Sequence, residues 1–101
     1  MSEKRQYVRE RCQGAVQLVW TDSAGLLHTS RGECLDISPS GLRVELQDRI
    51  EWGTVVRVKV LGSLLGMATV RYCSARKLKF IVKPEFLHAL NGPIPTSLQR
   101  L

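Results

Sequence analysis

The sequence predicts an all-β domain, a six-stranded antiparallel β-barrel with a short C-terminal helix. Three observations predict it. Apolar residues alternate with polar ones at period two in six short runs between about residues 15 and 83. Turn-forming residues separate these runs at regular intervals. The chain has 101 residues, 44% of them hydrophobic, which suits one small core with little room for a deep cleft. Closing the sheet also removes the exposed edges that an open basic sheet would have to protect.

In the first run, Val16, Leu18 and Trp20 alternate with Ala15, Gln17 and Val19. Asp22 to Gly25 reads as a turn, and a second strand follows from about Leu26 to Leu35. The third alternates Leu42, Val44 and Leu46 with Arg43, Glu45 and Gln47. In the fourth, Val56, Val58 and Val60 alternate with Val55, Arg57 and Lys59. Gly62 to Gly66, with a glycine at each end, is predicted to turn. The fifth run sets Ala68, Val70 and Tyr72 against Thr69 and Arg71, and the sixth Leu78, Phe80 and Val82 against Lys79, Ile81 and Lys83. Pro84 to Leu90 reads as a short helix, because proline suits the first helical position and Glu85 the first turn. Asn91-Gly92-Pro93 would stop it, and Phe86, Leu87 and Leu90 would cap the barrel. The tail from Ile94 to Leu101 carries no pattern. The chain thus divides into a basic arm (1–12), a barrel (13–83) and a helix with tail (84–101).

The net charge is +6, which attracts anions: nucleic acid, acidic membrane surface or phosphorylated small molecules. Lys4, Arg5, Arg9 and Arg11 crowd into the arm, whereas the other cations are interleaved with acids. No apolar run reaches the roughly 18 residues of a membrane span, and MSEKRQYVRER holds no apolar signal segment; a cytoplasmic protein is expected. Cys12, Cys34 and Cys73 lie far apart without metal-ligand spacing and read as buried thiols in a reducing compartment. His28 and His88 lack a second ligand nearby. No P-loop, nucleophile elbow or acid–base arrangement is present, so neither an enzyme nor a cofactor is expected.

Two motifs remain. Arg5-Gln-Tyr-Val-Arg9 places two arginines on the arm. The guanidinium is a planar fork of donors for phosphate oxygens or the O6/N7 edge of guanine, and its face stacks on bases. Tyr7 between them is either a staple onto the barrel or a stacking ring. The second motif is Asp36-Ile-Ser38-Pro-Ser-Gly41, between the second and third strands. As structure it is a tight polar turn. As a site, its carboxylate accepts guanine N–H groups or holds an arginine, its hydroxyl bonds a base or phosphate, and its glycine lets backbone approach a ligand. The residues alone leave both readings open. Trp52 reads as a core or rim residue.

An RxxxR arm followed by a [D/N]xSxxG turn resembles the PilZ domain family. Leu42-Arg-Val-Glu-Leu46, Trp52-Gly-Thr-Val-Val-Arg-Val58, Gly66-Met-Ala-Thr-Val-Arg-Tyr-Cys73 and Phe80-Ile-Val-Lys-Pro-Glu-Phe86 are similar to the family's strands, so the resemblance runs over about residues 4 to 90. Lys83-Pro84 stands where the family often has a glycine. The resemblance implies a non-enzymatic receptor for cyclic di-GMP. It implies that Arg5 and Arg9 take the phosphates and a guanine edge, that Asp36 and Ser38 take a guanine from the barrel side, and that Gly41 keeps the turn open. Lys4 adds charge. A basic residue there often accompanies a stacked ligand dimer in the family, which leaves open a homodimer formed on ligand binding. The arm, polar and terminal, is expected to order on the ligand and so signal to an effector protein. Two rivals stand beside this reading: a PilZ-like adaptor that binds protein without nucleotide, and a small barrel for single-stranded nucleic acid, which would want a series of exposed aromatics.

Overall fold

The computed structural model of the protein describes residues 10–99. Its elements are β1 (Glu10–Arg11), β2 (Ala15–Thr21), β3 (Leu27–Ser38), β4 (Gly41–Leu46), β5 (Val55–Val60), β6 (Ser63–Arg76), β7 (Lys79–Phe86) and a 3-10 turn at Thr96–Leu98. Strands β2 to β7 form a ring in the order β3-β2-β5-β6-β7-β4, and β4 pairs back onto β3. The barrel is therefore closed with six antiparallel strands, as expected. The two-residue β1 continues the line of β2 along the same flank of β3: Arg11 pairs with Asp36, and Ala15 with Glu33.

The alternation explains the ring. Val16 and Leu18 of β2, Leu42, Val44 and Leu46 of β4, and Val56, Val58 and Val60 of β5 all turn inward and are buried. Ala68 and Val70 of β6 and Val82 and Phe86 of β7 close the same core. Each large side chain buried this way favours folding by about 1.5–3 kcal/mol.

Three expectations are corrected. The turn predicted over Gly62 to Gly66 is a two-residue hairpin loop, Leu61-Gly62, and β6 begins at Ser63. Both loop residues have positive φ, 51° and 79°, the twist that joins antiparallel strands directly. The helix predicted from Pro84 is absent. Pro84, Glu85 and Phe86 end β7, opposite Val70, Thr69 and Ala68 of β6. Pro84 is tolerated because the β6–β7 register shifts by one residue between Val70 and Cys73, beside it, and proline is accepted at such bulges. The patternless tail matters too: Leu98 is fully buried, and its carbonyl accepts the N–H of Gln13. The tail, not a helix, packs against the barrel near the start of β2.

Candidate ligand-binding site

The second motif lies at the end of β3 and the start of β4. Ahead of it the β3–β4 register shifts between Cys34 and Asp36, so that Cys34 pairs with Val44 and Asp36 with Arg43. A bulge of this kind bends the strand and re-aims its side chains. The side chain of Asp36 is 14% exposed, and Arg43 Nε lies 2.8 Å from its Oδ2, a close ion pair rather than an aligned hydrogen bond.

Ser38 is buried, with 1% exposure. Its Oγ sits 2.9 Å from Ser40 Oγ and accepts the N–H of Ser40 at 3.2 Å. The hydroxyl thus closes the turn from inside. Gly41 pairs with Glu85 of β7. A Cβ there would lie 2.6 Å from the Pro84 carbonyl oxygen. Only a glycine lets β4 and β7 come this close.

Beside that contact lies an open groove of about 310 Å³, lined by Ser40, Gly41, Arg71, Tyr72, Lys83 and Glu85 among others. The β6 bulge builds it. Two β6 residues, Arg71 and Tyr72, fall within the register shift and both face outward, Tyr72 with 43% exposure. The alternation predicted Tyr72 on the inner face with Val70; the extra residue reverses it. Lys83 Nζ stands 4.5 Å from the centre of the Tyr72 ring. The Arg71 guanidinium lies 5.8 Å over the Trp52 ring, and its Nε reaches Glu85 Oε1 at 3.3 Å. Trp52 is a rim residue, 70% exposed. Cations over rings form a surface for flat, negatively charged partners. Arg71, Tyr72, Lys83 and Trp52 were not legible as site residues. The Pro84 that accompanies the bulge was the available sign, since a proline inside a strand marks an irregularity.

Lys4, Arg5 and Arg9 lie outside the described residues. Glu10, which follows Arg9, pairs with Ile37, between Asp36 and Ser38. The described chain thus begins beside the second motif.

Cys12 and Cys34 are joined by a disulfide, correcting the expectation of three separate thiols; Cys73 alone stays unpaired and half-buried. The amide of Cys12 also donates to the Leu35 carbonyl at 3.3 Å. Among the described residues, no group of three or more His, Cys, Asp or Glu gathers to hold a metal ion, and no helix is long and apolar enough to cross a membrane.

A family model described as the PilZ domain matches residues 3–89. A search of curated proteins returned no match. Among solved structures, the chain is similar to the PilZ domain with c-di-GMP of YcgR from Escherichia coli, with a TM-score of 0.58 and 17% identity over 84% of this chain and 79% of that one. At that identity the likeness speaks for the fold.

Proposed function

The chain belongs to the PilZ family, and on that premise we propose that it is a cytoplasmic cyclic di-GMP receptor that signals to a partner protein without catalysing a reaction. The observation that carries this reading is a convergence at one place. The Asp36–Gly41 turn lines the groove through Ser40 and Gly41, and β1, which follows Arg9 in the sequence, pairs with β3 at Asp36 and Ile37. The similar YcgR domain carries the same ligand.

Each group has work suited to its position. Asp36, largely shielded from water, accepts guanine N–H groups or orients an arm arginine. Ser38 acts through the hydroxyl pair it makes with Ser40, which lines the groove. Gly41 sets the depth of the groove floor by admitting β7. Tyr72 offers a half-exposed ring for a guanine face, with Lys83 beside it for a phosphate. Arg5 and Arg9 close over the ligand from the other side, binding phosphates and the guanine edge, and Lys4 adds charge. The ordered arm and ligand then form the surface that an effector protein reads.

Titration calorimetry with cyclic di-GMP, with GTP and a single-stranded oligonucleotide as controls, tests the reading. Saturable heat with cyclic di-GMP alone is expected. Arg9→Ala should weaken binding at least tenfold, about 1.4 kcal/mol, while the barrel stays folded. Heat with the oligonucleotide that falls steeply with salt would instead favour a nucleic-acid barrel. Silence with all three leaves the protein adaptor.

A further inference from the structure

We propose that the outer face of strands β3, β2, β5 and β6 docks on an anionic lipid surface, with Leu61 and Leu64 entering the headgroup layer and Arg31, Arg57 and Lys59 meeting lipid phosphates. The inference goes beyond the receptor reading and does not depend on it. It starts from charge. From Trp52 to Pro84 the chain holds seven cations and no acid, so the interleaving of charges expected beyond the arm ends before β5. Two of those cations, Arg57 and Lys59, lie on β5 itself.

Register then gathers a third. Directly opposed residues of an antiparallel pair point to the same side of the sheet. Arg31 pairs with Gln17, Gln17 with Lys59, and Lys59 with Leu64. The neighbouring row runs Thr29, Val19, Arg57 and Met67. The alternate residues Leu18, Val56 and Val58 are buried in the core, so both rows face outward. Two adjacent rows across four strands thus hold three cations and no carboxylate. At the usual strand spacing they span about 15 Å. Among the described residues, no ion pair engages Arg31, Arg57 or Lys59. Glu33, two residues beyond Arg31 on β3, holds the Gly14 amide at 3.3 Å.

Apolar groups share the face. Leu64 is 55% and Met67 36% exposed. Leu61, at the tip of the β5–β6 hairpin, is 85% exposed. It lines a shallow groove with Gln17, Arg31 and Lys59, which places it beside the first row. Its φ of 51° belongs to a conformation that asparagine or glycine adopts at less cost. A leucine there, turned to solvent, contributes no burial to the barrel.

An anionic bilayer answers both halves of this pattern. Its surface potential attracts the cations, and the exposed aliphatic side chains enter the boundary between headgroups and acyl chains. A nucleic-acid strand would use the cations but needs rings to stack its bases on, and neither row carries an aromatic residue. In the ring order, β2 and β5 stand across from β7 and β4, the strands that with β6 line the ligand groove. The docked domain therefore keeps that groove turned to solvent.

Co-sedimentation of the whole chain with lipid vesicles is the test. Vesicles of phosphatidylcholine with phosphatidylglycerol should bind it at least tenfold more tightly than phosphatidylcholine alone, and added salt should weaken the binding. Arg57→Glu/Lys59→Glu should lower the partition at least tenfold, since each cation near such a surface raises it about fivefold. Arg76→Glu/Lys77→Glu, an equal change of charge on the β6–β7 hairpin, should retain most of it. Leu61→Asn, which suits the left-handed backbone, should cut binding several-fold while amide spectra show the barrel intact. Equal losses in the two charge-reversed variants overturn the proposal, because net charge alone then draws the chain to lipid. So does unchanged partition of Leu61→Asn, or a folded wild-type chain that ignores phosphatidylglycerol. An oligonucleotide that binds more tightly than the vesicles, and is lost with Arg57→Glu/Lys59→Glu, overturns it in favour of nucleic acid.

Discussion

The β2–β3 turn and the β6–β7 groove use the same materials, an aromatic ring, a cation-forming side chain and a carboxylate, to opposite effect. At the turn, Trp20 and His28, directly opposite on neighbouring strands, stack with centroids 5.3 Å apart and planes 12° from parallel. His28 Nε2 meets Asp22 Oδ2 at 2.7 Å. The other carboxylate oxygen of Asp22 accepts the amides of Ala24 and Leu26, both at 2.9 Å. Every group there is matched to a neighbour in the chain. At the groove, Lys83 sits over Tyr72 with no carboxylate partner among the described residues, and Trp52 is largely exposed beneath Arg71. The difference follows from register. The β2–β3 hairpin pairs without interruption from Ala15–Glu33 to Thr21–Leu27, so side chains meet in complementary rows. The β6–β7 pair carries a bulge, and its unmatched residues point out with capacity left over. At the end of the uninterrupted ladder Asp22, His28 and Trp20 are matched to one another, although Ser30 Oγ farther along it is buried without a hydrogen-bond partner among the described residues, whereas the bulged pair turns Tyr72 and Lys83 to the surface.

The sharpest way to break this comparison is Gly41→Ala. The added methyl meets the Pro84 carbonyl at 2.6 Å, and forcing two strands apart costs about 1–3 kcal/mol. Both chemical-denaturant stability and ligand affinity should fall, and an unchanged unfolding midpoint would show that β7 gives way freely. Next is Tyr72→Ala. With the ring 43% exposed, thermal stability should hold while binding weakens about tenfold, since stacking a base on a ring is worth about 1–3 kcal/mol. If melting temperature and affinity drop together, Tyr72 belongs to the barrel and not to the groove. Trp20→Ala should do the reverse, lowering stability with affinity unmoved.

The smallest effect concerns protons. The hydrogen bond from His28, followed by that from the Leu26 amide, holds the Asp22 carboxyl below its ordinary pKa of 3.8. A carboxyl whose pKa falls on folding stabilises the fold fully above its unfolded value and loses that contribution as pH falls through the folded one. Hydrogen-exchange protection of the Ala24 and Leu26 amides should therefore decline on acidification below about pH 4, and Asp22→Asn should flatten that decline. Because Asp22 is open to solvent, global stability should hardly move.

How much of this was legible follows the same division. The strands could be read where apolar residues alternate without a slip, as in Leu42-Val44-Leu46 and Val56-Val58-Val60. The Asp22 turn was readable because Asp, Ser and Gly write a turn locally. Period two puts Tyr72 on the inner face and the structure puts it outside, because one inserted residue inverts the faces that follow and the alternation carries no mark of an insertion. Pro84-Glu85 reads as a helix start because proline at a first helical position and proline at a bulge leave the same letters. The pairing of Cys12 with Cys34 joins residues 22 apart through a fold-level contact that spacing does not encode. The Asp36–Gly41 motif was legible as a motif. That Ser38 faces inward and Gly41 serves a strand contact is visible only once β7 is in place.

The bridge between Cys12 and Gln99 brings the two ends of the described chain side by side. A short linker across that gap could make the chain circular, and the exposed Leu61-Gly62 loop offers a place to cut it again. Such a circular permutant would keep every strand pairing of the ring.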